Sequence, residues 1–192
     1  AEDGVTRRGM LAPLVHADFV SGHLDLAKAT GAKIVYGPSA QPNFDAYIAA
    51  DGEDLPLGEI RLRVLHTPGH TMESSCFLLL DETGKAHSLF SGDTLFIGDV
   101  GRPDLAQKAA NMTKEELAAL LFQSLQNKIL TLPEDVIVYP GHGAGSACGK
   151  NMSKETVSTI GTQKQTNYAL RPGMTEAEFV TEVLEGQLPP PV

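Results

Sequence analysis

The chain has 192 residues, with 15 Lys and Arg against 24 Asp and Glu, so its formal net charge at pH 7 is −9, which argues against nucleic acid as a general partner. Hydrophobic residues at 42% and charged residues at 20% exclude a disordered chain and a coiled coil. No apolar run approaches the roughly 20 residues needed to cross a bilayer, and the opening Ala1-Glu2-Asp3-Gly4 lacks the basic-then-apolar order of a signal peptide.

In chain order, Phe19 to Thr30 places Val20, Leu24, Leu26 and Ala27 before Gly31, which predicts a helix with a glycine stop, and Lys33 to Tyr36 follows as a short strand. Within Asp51 to His66, Gly52 and Gly58 punctuate a strand pair in which Ile60, Leu62 and Val64 alternate with Arg61, Arg63 and Leu65. The run Cys76 to Leu80 reads as a buried strand, turned by Asp81-Glu82-Thr83-Gly84 into a second strand over Ala86 to Phe90. Thr113 to Leu130 is predicted as the clearest helix, with Thr113 as its cap and Leu117, Leu120, Leu121, Leu125 and Ile129 on a helical period. Asp135 to Tyr139 is a strand that runs into Pro140-Gly141-His142-Gly143, and Thr175 to Leu184 is helical. We therefore expect one compact α/β domain over 1–186 and a Pro-rich, linker-like tail over 187–192. Cys76 and Cys148 are too few and too far apart for a disulfide framework, which points to a reducing compartment and a cytoplasmic protein.

Four segments carry candidate chemistry: His16-Ala17-Asp18, Thr67-Pro68-Gly69-His70-Thr71, Ser91-Gly92-Asp93-Thr94 and Tyr139-Pro140-Gly141-His142-Gly143. The last three follow predicted strands. A strand end aims side chains with little positional error, and adjacent glycines let backbone pass close to an ion. Imidazole nitrogen and carboxylate oxygen together suit zinc or non-haem iron.

The order of these segments resembles the metallo-β-lactamase superfamily, whose motifs run H-x-H-x-D-H, a TPGHT-type His, a GD Asp and a GH His, and whose fold is an αββα sandwich with metals at one edge of the two sheets. The longer strings His16 to His23, Gly98-Asp99-Val100-Gly101-Arg102-Pro103-Asp104 and Gly143 to Lys150 are similar to persulfide dioxygenases of the bacterial, rhodanese-fused type. The resemblance implies a mononuclear Fe(II) held by the first His of H-x-H-x-D-H, the TPGHT His and the GD Asp. His70 and Asp93 occupy two of these positions. The first-ligand position is Leu14, which cannot ligate, and His16 is the candidate substitute. Phe19 stands where dinuclear hydrolases carry a second-metal histidine, which favours one metal per chain: Fe(II), with zinc as the alternative.

The activity implied is oxidation of a low-molecular-weight persulfide, such as glutathione persulfide, by O2 to sulfite and thiol in sulfide detoxification. The alternatives are a glyoxalase II-type thioester hydrolase and a non-catalytic remnant of the fold. Cys148 is the candidate sulfur-accepting nucleophile, its other reading being a small buried hydrophobe. Arg102 and Lys150 are candidates for binding an anionic substrate, although Arg102 could instead pair with Asp104 or Asp99, and Asp18 and His142 are expected to orient the ligands. A rhodanese partner is expected, and self-association is left open. Arg7 to Leu14 reads poorly as a strand, because two arginines interrupt its apolar pattern and Pro13 lacks a ladder donor, so the first sheet is expected to be incomplete.

Overall fold

A computed structural model describes residues 9–13 and 21–187. Leu14, His16, Asp18 and Phe19 lie outside the described residues, as do the prolines of the expected tail.

Two sheets form the centre of the fold. In the first, β1 (Gly9–Ala12), β2 (Lys33–Tyr36) and β3 (Tyr47–Ile48) run parallel in the order β1-β2-β3. The second sheet contains β4 (Asp54–Leu57), β5 (Ile60–His66), β6 (Ser75–Leu80), β7 (Ala86–Gly92), β8 (Ile137–Pro140) and β9 (Ser158–Thr159) in that order. Its neighbours are antiparallel except β7 and β8, which are parallel.

β1 corrects the sequence reading. Met10, Leu11 and Ala12 pair with Ile34, Val35 and Tyr36, so the strand starts after the two arginines. Pro13 stands just past its end, where a missing N–H removes no ladder bond.

Strand alternation builds the layers. On β6, Phe77 and Leu79 face Val35 and Ala49 of the first sheet and its surroundings, forming the core between the sheets with Leu62 and Val64. Cys76, Leu78 and Leu80 point the other way, into a second core beneath the helices. On β2, Ile34 and Tyr36 turn outward to pack with Ala27 of the helix α1 (His23–Thr30). The result is an αββα sandwich, as the resemblance implied. The helix α1 begins later than the expected Phe19, since Ser21 and Gly22 are non-helical, and it stops at Gly31, whose φ of 70° places it in the left-handed region.

The helices α2 (Gln107–Ala110), α3 (Lys114–Ser124), α4 (Ile160–Thr166) and α5 (Glu176–Leu184) complete the fold. Thr113 and Glu116 form a reciprocal capping box on α3, and Thr175 and Glu178 do the same on α5. The expected single helix to Leu130 instead changes to a π turn over Leu125–Ile129. Leu121 and Leu125 bury in one core with Phe179 and Val183, the Phe122 and Phe179 rings lie 5.3 Å apart, and Leu117 is also fully buried. Thr113→Ala leaves the Glu116 N–H without its side-chain acceptor and should lower stability by about 1 kcal/mol, read as a shift of the denaturant midpoint at unchanged slope. Among the described residues, no helix is long and apolar enough to cross a membrane.

Candidate metal centre

Three loops at one end of the second sheet deliver the site. β5 ends at His66, and Thr67 turns the chain by accepting the Ser74 pairing, its N–H donating to the Ser74 carbonyl at 2.8 Å. Gly69 then passes so close to α3 that an added Cβ would lie 2.4 Å from the Leu121 Cβ, which presses the His70 loop onto that helix. The Ser124 hydroxyl donates to the Pro68 carbonyl and fixes the same loop.

Asp93 follows β7, where the register against β8 shifts between Phe90 and Gly92. Gly92 has a φ of 52°. Such an irregularity re-aims the next side chain. The carboxylate is then walled in: a Cβ on Gly141 would sit 2.6 Å from Asp93 Oδ1, and one on Gly101 would sit 1.9 Å from the Asp93 carbonyl oxygen. The sequence placed Gly141 among the glycines that let backbone pass close to an ion, whereas Gly101 stood in the Gly98 to Asp104 string with no role of its own.

His70 and Asp93 converge. His70 Nε2 and Asp93 Oδ2 are 3.4 Å apart, with the side chains 2% and 1% exposed. An N–H···O hydrogen bond has its usual length near 2.9–3.0 Å, whereas two ligands about 2.1 Å from one tetrahedral ion stand about 3.4 Å apart. His70 Nδ1 lies 2.8 Å from the Arg102 carbonyl oxygen. A carbonyl can only accept, so Nδ1 carries the proton and Nε2 presents its lone pair, the arrangement that metal-binding histidines use.

His142 Nδ1–H donates to Asp93 Oδ1 at 2.8 Å, which leaves Oδ2 directed at His70, and the imidazole ring meets Phe96 edge-on. Cys148 Sγ is the third atom of the group: its sulfur, a His70 ring nitrogen and an Asp93 oxygen all lie within 4.8 Å of one another, and all three residues are buried. Imidazole, carboxylate and thiol in one buried space form a donor set that fits iron(II) or zinc.

The cations expected to hold substrate have other partners. Arg102, 1% exposed, makes a two-pronged pair with Asp104 through Nε (2.8 Å) and Nη2 (2.7 Å). Its Nη1 donates to the Ala147 carbonyl, and its backbone N–H donates to the Cys148 carbonyl. Burial raises the Asp104 carboxyl, but the Arg102 hydrogen bonds and charge outweigh it and hold the group below the usual carboxylate range. Arg102 thus ties the His70 loop to the Cys148 loop. Lys150 donates to the Glu182 and Glu185 carbonyls at the end of α5 and lies over the Tyr168 ring at 5.0 Å. An ammonium there satisfies C-terminal helix carbonyls, and a substrate contact would require it to leave them.

Cys76 lies in the core, where burial pushes its thiol up to about 11, in keeping with a packing role. His23, His66 and His87 make local bonds with Ser21, Met72 and Ser88. An apolar cleft of about 240 Å³, lined by Leu11, Phe77, Phe90 and Tyr139 among others, reaches Gly92 and Gly141 beside Asp93.

Known proteins resemble this chain in sequence and fold. A probable hydroxyacylglutathione hydrolase of Schizosaccharomyces pombe is 35% identical over 127 residues, covering 66% of this chain and 44% of that protein. A crystal structure of a metallo-beta-lactamase from Staphylococcus aureus is 38% identical with a TM-score of 0.85, covering 98% of this chain and 56% of that one. The structure of ETHE1 from Myxococcus xanthus is 28% identical with a TM-score of 0.75, covering 95% and 70%. The chain therefore spans about half the length of the first two. The metallo-beta-lactamase superfamily profile matches residues 15–142, ending at the histidine beside Asp93, and the chain belongs to that superfamily.

Proposed function

We propose that this chain is a mononuclear iron enzyme that oxidises a low-molecular-weight thiol persulfide, glutathione persulfide or a close relative, with O2. The observation that carries the proposal is the 3.4 Å spacing of His70 Nε2 and Asp93 Oδ2 in a buried space that also contains Cys148. The strings shared with persulfide dioxygenases and the likeness to the Myxococcus ETHE1 chain support it. Phe19, where a second-metal histidine would stand, favours one ion over two.

Iron(II) at this position supplies a place where a persulfide sulfur and O2 can both be activated and held next to each other. The chain's residues hold and shape the site. His70 and Asp93 would bind the ion, the Arg102 carbonyl fixes the His70 tautomer, and His142 holds the second carboxylate oxygen. The apolar cleft beside Gly92 and Gly141 offers a dry approach for the thiol portion of the substrate. In the balanced reaction, persulfide, O2 and water give the parent thiol, sulfite and two protons.

A second reading, metal-dependent hydrolysis of a glutathione thioester, is favoured by the 35% identity to the probable hydroxyacylglutathione hydrolase. The full chain, loaded anaerobically with Fe(II), should consume oxygen with glutathione persulfide and release matching sulfite. Thioester cleavage without oxygen uptake would install the hydrolase reading, and neither activity in a stoichiometrically loaded sample would leave a non-catalytic remnant. A rhodanese domain or protein would be the fitting partner, since rhodanese chemistry handles the same sulfane sulfur.

A further inference from the structure

Resting on the metal-centre reading above, we infer that Cys148 is itself a metal ligand: its thiolate supplies the third protein donor beside His70 Nε2 and Asp93 Oδ2. The sequence suggested Cys148 as a nucleophile that accepts sulfur. The geometry points to coordination instead.

Three observations support the assignment. First, Cys148 is 3% exposed, yet its sulfur does not sit in an apolar layer. It lies within 4.8 Å of both the imidazole nitrogen and the carboxylate oxygen, whereas Cys76 belongs to the main apolar core and its sulfur meets a hydroxyl and a carbonyl, of Thr67 and Ser91, rather than an imidazole or a carboxylate. Second, a sulfur about 2.3 Å and a nitrogen or oxygen about 2.1 Å from one tetrahedral ion stand about 3.6 Å apart, so a shift of the Cys148 side chain by about 1 Å brings all three onto a common centre.

Third, the loop that carries the sulfur is built to be held there. Arg102 donates its backbone N–H to the Cys148 carbonyl and Nη1 to the Ala147 carbonyl, while its own carbonyl accepts from His70. One residue therefore fixes the nitrogen and sulfur donors relative to each other. On the far side, Asp99 Oδ2 accepts from the Asn151 N–H, and a Cβ on Gly149 would lie 2.8 Å from the same oxygen. Ser146 Oγ accepts from the Cys148 N–H. Such support around a donor is what fixes a ligand's geometry.

The donor set then becomes His-Asp-Cys, with a soft sulfur in place of the imidazole that Leu14 cannot provide. On binding, the thiol proton passes to solvent and the sulfur–metal bond forms with no change of oxidation state. A cysteine so bound is withdrawn from nucleophilic attack while the metal is present.

Cobalt(II) added to the 192-residue chain tests this without reference to turnover. The expected spectrum has visible d–d bands and a near-ultraviolet thiolate-to-cobalt charge-transfer band. Cys76→Ser should keep both. Cys148→Ser should lose the charge-transfer band and bind cobalt at least about tenfold more weakly. In wild-type protein, bound cobalt should also protect Cys148 from iodoacetamide, located by peptide mapping, so that the test holds even if the Cys148→Ser chain folds poorly. Visible bands with no charge-transfer band in the wild-type chain would overturn the Cys148 assignment and leave the His70–Asp93 centre standing. A charge-transfer band that survives in Cys148→Ser would also overturn it. Failure of the folded wild-type chain to bind cobalt at all would overturn both the assignment and the centre on which it rests.

Discussion

His70→Ala should abolish stoichiometric metal retention, and with it the proposed persulfide oxidation, while leaving the fold intact. Loss of a residue that merely orients a ligand commonly costs 10–100-fold in metal affinity, and loss of a ligand should cost at least about 100-fold. The ring is almost fully buried, with Nδ1 bonded to the Arg102 carbonyl and Nε2 facing Asp93, so truncation removes a donor and also releases the Arg102 loop. The comparison is His87→Ala, whose ring bonds only its neighbour Ser88 among the described contacts and which should retain metal. Equilibrium dialysis with iron or zinc reads the difference. Equal affinity in the two variants would show that His70 holds no ion.

Gly101→Ala should be strongly damaging although it adds a single methyl. Its Cβ would lie 1.9 Å from the Asp93 carbonyl oxygen, 3.0 Å from the Asp93 carbonyl carbon and 3.1 Å from the His70 Cβ. Nothing flexible can yield, because two of the three atoms are backbone and the third belongs to a buried ring. Overpacking a tight site costs about 1–3 kcal/mol and occasionally more, and here the upper end is expected, together with weakened metal binding. Gly143→Ala, two residues beyond Gly141, meets nothing within 4 Å and should stay within about 0.5 kcal/mol of wild type. Denaturant titrations of the two variants decide the point, and coincident midpoints would mean that the crowding around Asp93 has no energetic consequence.

Much of this fold could be read because periodicity and punctuation agree. Cys76 to Leu80 and Ala86 to Phe90 flank an Asp-Glu-Thr-Gly turn, and the structure has β6 and β7 there. Thr113 and Thr175 carry glutamate three residues on, and both form capping boxes. Among the elements that escaped, β3 and β9 have two residues each and α2 has four, too few for a period to register, and α4, with the sequence IGTQKQT, has one large apolar residue and so no apolar stripe. β1 was misread because its flanks, two arginines and Pro13, were counted as part of it. The π turn after α3 is a hydrogen-bond pattern with no compositional mark.

At the site, His70 and Asp93 were legible from their motifs, since a strand end followed by glycine and a ligand-type residue restricts where the side chain goes. The Arg102–Asp104 pair was one of the two readings weighed for that arginine, because Asp104 is local, whereas the contacts of Lys150 were not legible, since the α5 carbonyls that engage it lie more than thirty residues away. The closeness of Cys148 to His70 and Asp93 likewise depends on a loop clamped by Arg102. His16 and Asp18, read as a substitute ligand and an orienting carboxylate, fall outside the described residues and stay as proposals.

The most direct measurement is anomalous X-ray scattering at the iron edge from crystals of the iron-loaded chain. The account predicts one peak per chain, about 2.0–2.2 Å from both His70 Nε2 and Asp93 Oδ2. A peak that touches neither atom, or a pair of peaks bridged by Asp93, would contradict a single ion held between these two side chains.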